Sequence, residues 1–238
     1  MKNFCFSIII ISLFYSCNNE VKPLVFKTEV ISEDLKINSE ISFNEVDGND
    51  AISNKINATL QNKIAALIPN SENQTTIKDA VLAFDNEYTS FVNDFSNNEH
   101  VWELHIETEV IYQSEEIITI VVNVYSDTGG AHGNDTIQLL NFNTETGALY
   151  DHSNIINDIE GFKSIAETYF IKSIKNDSES TSISEFFFGK SFQLPENIGF
   201  SEDGIVLLYN TYEVSTFNQG FTEFVIPFEE ANPYLKIN

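Results

Sequence analysis
The hydrophobic period of this chain changes abruptly near residue 100. Upstream, Ile77, Val81, Phe84, Tyr88, Phe91 and Phe95 recur in alternating steps of four and three, the stripe of one helix face. Downstream, Trp102, Leu104, Ile106, Thr108, Val110 and Tyr112 alternate with Glu103, His105, Glu107 and Glu109. That is the period of a strand with one buried face. A long amphipathic helix followed directly by a long half-buried strand predicts an α+β fold, with helices laid on a sheet.

The remaining segments extend this reading. Val25–Val46 is extended, with Ile37, Ile41 and Phe43 as apolar points. Asp47-Gly48-Asn49-Asp50 is a turn and helix cap. Ile52, Ile56, Leu60, Ile64 and Leu67 mark a helix ended by Pro69. Thr76 with Asp79 resembles a capping box opening the second helix. Ile117–Tyr125, Thr136–Phe142 and Ala148–Tyr150 continue an antiparallel meander through turns at Gln113–Glu116 and Asn143–Gly147. A third helix covers Ile159–Ile174, with Phe162, Ile165, Ala166, Tyr169 and Phe170 inward. Lys175–Ser184, rich in Ser, Asp and Glu, reads as a mobile loop. Strands follow at Gly204–Tyr212 and Thr222–Phe228, then a helical turn at Glu229–Leu235. The expected architecture is antiparallel sheet with packed helices in two closely associated parts, residues 26–140 and 141–238.

The first residues belong to targeting, not to the fold. Residues 1–16 carry Lys2 and then an apolar run, Phe4–Phe14, too short to span a bilayer as a helix. Ser16-Cys17 is where a lipoprotein signal is cut, which makes Cys17 the expected lipid carrier and residues 17–25 a lipidated tether. An ordinary cleaved signal with an incidental cysteine is the plainer alternative. The two cysteines, Cys5 and Cys17, both lie in this segment, so no disulfide is expected after cleavage. The expected location is the cell envelope, with the lipid as the membrane anchor.

Charge bounds the partners. Lys and Arg total 12, all of them lysine, against 36 Asp and Glu, giving a formal net charge of −24. Such a surface repels nucleic acid, whose binding rests on basic side chains at phosphates, and attracts cations or cationic proteins. Acidic charge also keeps an exported protein soluble. No nucleophile elbow, His-Glu-x-x-His helix or phosphate loop is present, and no cofactor or metal set is expected. His100 and His105, five apart, would face opposite sides of a strand.

One loop stands out. Ser126-Asp127-Thr128-Gly129-Gly130-Ala131-His132-Gly133-Asn134 follows a buried strand, and Asn141-Phe142-Asn143 and Thr146-Gly147 come at hairpin spacing after it. Asp203-Gly204-Ile205, Tyr209, Tyr212-Glu213-Val214, Gly220 and Ile226-Pro227 follow in order. This succession resembles an envelope family that includes the extracytoplasmic part of the anti-sigma factor RsiV and the N-terminal region of the peptidoglycan deacetylase PdaC. The resemblance implies an α+β fold and, from RsiV, lysozyme as a partner. This chain shows neither the sigma-binding segment nor the separate deacetylase domain of those proteins, so the expectation is a non-enzymatic binding module for a cationic protein or for peptidoglycan. The alternative is a cell-wall hydrolase or deacetylase accessory using His132. The candidate loop residues are Gly129, Gly130, His132 and Asn134. Two glycines permit positive φ or close approach. Histidine titrates nearest neutrality of all side chains, but it can equally tie down the loop it sits in.

Overall fold
The computed structural model describes residues 23–71, 73–96, 99–177, 186–214 and 220–237. The signal segment, Cys17 and most of the tether lie outside them, as do residues 178–184 of the expected mobile loop. Among the described residues nine strands form two sheets. In the larger, β1 (Phe26–Val30), β2 (Asn38–Val46), β3 (Glu103–Gln113), β4 (Ile117–Asp127), β5 (Asn134–Asn143) and β6 (Leu149–Tyr150) lie side by side in chain order. The smaller is antiparallel, built from β7 (Asn197–Ser201), β8 (Gly204–Tyr209) and β9 (Thr222–Pro227). The mixed α+β architecture is the expected one, and β3 to β6 form the expected meander.

One pair departs from antiparallel order. β2 runs parallel to β3, with Asn38 opposite Glu103 and Ile41 opposite Ile106. A parallel pair needs a crossover, and two helices supply it: α1 (Ala51–Ala65) and α2 (Ile77–Asp94). Asp50 caps α1, its carboxylate accepting the N–H groups of Ile52 and Ser53. The helix stops at Ala65, short of Pro69, and a turn then buries Ile68. At the start of α2 the Thr76 hydroxyl accepts the Asp79 N–H and donates to the Asp79 carboxylate at 2.7 Å, so Thr76 caps the helix, but through a side-chain pair in place of the reciprocal backbone bond of the expected box. Asp85 on α2 accepts the N–H groups of Lys36 and Ile37, which ties the helix to the entry of β2.

α1 and α2 cover one face of the large sheet. Ile56, Leu60 and Ile64 meet Ile77, Val81 and Phe84 over Leu104, Ile106, Ile120 and Val122. Trp102 sits among Phe84, Tyr88 and Phe91, with ring centroids 5.2–5.6 Å away. Phe95, the last member of the α2 stripe, falls on the C-cap and is 60% exposed, its ring tilted against Phe91.

A second core is built by α4 (Ile159–Asp177), whose Phe162, Ala166, Phe170 and Ile174 face the small sheet. Residues 175–177, read as loop, continue this helix. Phe170 touches the rings of Phe186, Phe187, Phe192, Tyr209 and Phe224. A short α3 (His152–Ile155) precedes α4, and α5 (Phe228–Ala231) closes the chain in a turn.

A bulge decides how the cores share the large sheet. The register of β3 on β4 slips between Val110 and Tyr112. The extra residue reverses the alternation. Tyr112, expected on the face of Trp102, instead packs in the second core, 5.7 Å from Phe200 and 6.0 Å from Phe228.

Candidate functional site
The glycine loop joins β4 to β5 at one end of the large sheet. Gly129 has φ of 81°, and a Cβ there would lie 3.0 Å from the His100 ring. Its N–H donates to Asp127, whose carboxylate also lies 3.3 Å from His100 Nε2. Gly133 admits the Tyr125 hydroxyl against its α-carbon. Gly130 does neither: its φ is not positive, and a Cβ there would meet nothing nearer than the His132 carbonyl at 3.8 Å. The steric demand expected of Gly129 and Gly130 therefore falls on Gly129 and Gly133.

His132 bridges two parts of the chain. Nδ1 lies 2.8 Å from the Gly133 carbonyl, and Nε2 lies 3.3 Å from the Tyr212 hydroxyl. Tyr212, at φ of 67°, reaches the loop from beyond the end of β8. Asn134 opens β5 and donates to Thr136 Oγ1 at 3.1 Å. His100 precedes β3 and packs against the loop, whereas His105 lies within β3 against Tyr125. His105 stands 3.9 Å from Glu103 and 4.0 Å from Glu40, at the limit of an ion pair. Among the described residues no His, Cys, Asp and Glu side chains gather in threes to hold a metal.

A second feature lies on the same outer face, further along the strands. Ile111, Val121, Ile137 and Leu139 of the large sheet and Val206, Leu208 and Val225 of the small one line a cavity of about 330 Å³. Ser201, Asp203 and Glu223 complete its wall from the small sheet and its β7–β8 turn. Glu109 stands opposite Val121 in the register, so a third exposed carboxylate flanks the cavity from β3.

The sheets are riveted beside this cavity by side chains that bond to backbone. Asn210 brackets Ile137, accepting its N–H and donating to its carbonyl. Asn197 accepts the Leu139 N–H. The free edge of β5 is thereby satisfied without another strand. Glu213 accepts the N–H groups of Glu196 and Asn210, and burial pushes its carboxyl pKa up. Burial likewise raises Tyr209, whose hydroxyl donates to the Gln193 carbonyl.

Sequence reasoning singled out the loop and passed over the cavity. Its floor residues read as ordinary strand positions, and β7, which builds one wall of the seam, went unrecognised. One signal was present: Asn123 interrupts the apolar run of β4, and Asp135 interrupts the start of β5. Asp135 is held above the usual carboxylate range by burial, and Tyr125 opposite is raised by burial and by the Asp127, Glu103 and Asp135 carboxylates.

Known proteins bear on the fold. Residues 31–135 match a family model described as Deacetylase PdaC, and residues 152–229 match one described as a protein of unknown function, DUF3298. No curated protein matches the chain. A crystal structure of a DUF3298 family member from Bacteroides fragilis covers 90% of this chain and 94% of its own, with a TM-score of 0.67 and 18% identity. One from Pseudomonas aeruginosa covers 91% and 96%, with a TM-score of 0.67 and 16% identity. The two halves of the chain thus resemble two different family models, and its fold is shared with these DUF3298 family structures.

Proposed function
We propose that this chain is an exported, lipid-anchored, non-enzymatic binding module of the cell envelope, and that its partner is a cationic protein of the lysozyme type. The observation that carries the reading is the cavity between the sheets. It has an apolar floor and carboxylates on both flanks, Glu109 on one and Asp203 and Glu223 on the other. An interface needs apolar area to gain affinity and complementary charge to steer the partner in. A chain of net charge −24 supplies the long-range part. The resemblance to the RsiV extracytoplasmic region supports lysozyme. The word deacetylase belongs to the family matched by residues 31–135. The apolar cavity suits docking better than hydrolysis.

Titration calorimetry of the mature chain in detergent tests this, with a c-type lysozyme as ligand and cytochrome c as a basic control. A shaped interface keeps lysozyme bound at ~0.5 M salt, where screening is already short-ranged, and leaves cytochrome c behind. No binding, or equal binding to both proteins that vanishes in salt, overturns the reading.

A further inference from the structure
Beyond Val121 and Ile137 the face that carries the cavity ends in two oxygens without donors. Asn123 Oδ1 and Asp135 Oδ1 are shielded from solvent, yet neither has a hydrogen-bond partner among the described residues. In the register Asn123 stands opposite Ile137 and Asp135 opposite Tyr125. The two side chains are therefore diagonal neighbours on one face. Glu107 stands opposite Asn123 on β3, exposed. The Tyr125 ring, packed on His105 and seated against Gly133, walls the far end.

A buried acceptor left without a donor destabilises the fold, because its lost hydration is not replaced. Two such acceptors side by side are a poor choice for stability alone, because Val121 and Ile137 show what the same strands use where only packing matters. The pair lacks a donor-rich group, preferably positive. A guanidinium carries five N–H donors in a plane and an ammonium carries three, and either satisfies an amide oxygen and a carboxylate together. The cavity next door supplies no cationic donor: its lining holds the Asp203 and Glu223 carboxylates, the Ser201 hydroxyl and apolar side chains.

We propose that Asn123 and Asp135 form the anchor for one basic side chain of a cationic partner, whose adjoining apolar residues fill the cavity floored by Val121, Ile137 and Val206. The occupant is an amphipathic basic segment in which apolar and cationic residues alternate, matching the step from cavity to anchor along the strands. This inference rests on the cationic-partner reading and names where its specificity lies.

The test uses a fluorescein-labelled pentapeptide, Val-Arg-Val-Arg-Val with a blocked C-terminus, and the mature chain in detergent at about 0.15 M salt. Anisotropy gives the affinity. Asp135→Asn and Asn123→Leu should each weaken binding tenfold or more. Glu202→Gln, which removes an equal charge from the exposed β7–β8 turn outside the cavity, should change it less than twofold. Replacing arginine by citrulline, which keeps the shape and removes the charge, should match the Asp135→Asn loss. Melting curves confirm that each variant is folded; if Asn123→Leu is not, Asp135→Asn and the citrulline peptide decide. Equal effects of Asp135→Asn and Glu202→Gln overturn the anchor and leave a charge-driven cationic partner standing. A peptide that fails to bind while lysozyme binds overturns the anchor alone. If neither binds, both the anchor and the cationic-partner reading fall.

Discussion

Thr119 and Asn141 face each other across β4 and β5, and the 2.8 Å bond between their side chains also fastens the second sheet. The Thr119 hydroxyl donates to Asn141 Oδ1 and accepts the Phe200 N–H at 3.0 Å, while Asn141 Nδ2 donates to the Ile198 carbonyl at 2.7 Å. Both side chains are buried. β7 approaches so closely because it carries Gly199, where a Cβ would lie 2.8 Å from Thr119 Cγ2.

Thr119→Val keeps the shape and strands the Phe200 N–H in the interior. It should cost about 1–3 kcal/mol in urea unfolding. Asn141→Leu should cost a similar amount by stranding the Ile198 carbonyl. Because the two belong to one network, the double variant should lose less than the sum of the singles. Strict additivity would show that the bonds act separately.

The glycines of the loop should rank by geometry. Gly129→Ala forces a side chain into φ of 81° against His100, at a cost of about 1–2 kcal/mol. Gly133→Ala meets the Tyr125 hydroxyl and should be at least as damaging. Gly130→Ala should stay within about 0.5 kcal/mol of the parent, as an unconstrained surface change does. Thermal unfolding of the three single variants checks the order, and a Gly130 variant as unstable as the other two contradicts it.

Asp135 makes a prediction with a definite sign. Burial raises its folded pKa above the unfolded value, so the folded protein binds the proton more readily and loses stability as pH rises through that window. Asp135→Asn removes the penalty. The variant should melt higher than the parent at pH 7, and the gain should shrink as pH falls and approach zero only well below pH ~4, where aspartate is protonated in both states. The helix-capping Asp50 and Asp151, lowered by their hydrogen bonds to Ser53 and Ser153, titrate with the opposite sign but cancel between the two proteins. A gain that persists unchanged at pH 3 would refute the account.

Cys17→Ser should abolish incorporation of labelled palmitate and release the protein from membranes or block its processing. The apolar run ending at Ser16-Cys17 motivates this. Equal label in both proteins refutes the anchor.

What the sequence disclosed follows from how each signal arises. The α2 stripe and the alternation of β3 are local patterns, and they predicted a helix and a strand correctly because one face of each is buried against a single neighbour. Tyr112 was misplaced because a bulge leaves no mark in hydrophobic period. β7 was missed because Asn197-Ile198-Gly199-Phe200-Ser201 is only five residues long and offers just two apolar side chains around a glycine, too short an alternation to stand out. The parallel pairing of β2 depends on where two helices lead the chain, a long-range matter. Of the candidate residues, His132 and Gly129 occupy positions that hold the loop in shape, and Asn134 lies beside them. The cavity and the orphaned oxygens of Asn123 and Asp135 exist only once strands are in register, so no reading of the chain in one dimension could assemble them.

The central strand β4 gives Ile118, Ile120 and Val122 to the core under α1 and α2, and Ile117 to the core under α4. A wall shared by two rooms cannot be taken down for one of them. Although residues 31–135 and 152–229 match separate families, neither core keeps its lining if the other half's strand leaves, and the inter-sheet bonds of Thr119 and Asn141 tie β4 and its neighbour β5 to β7 across 57 to 81 residues of chain. The two segments should therefore melt together in a single calorimetric transition, with the module either wholly folded or wholly lost.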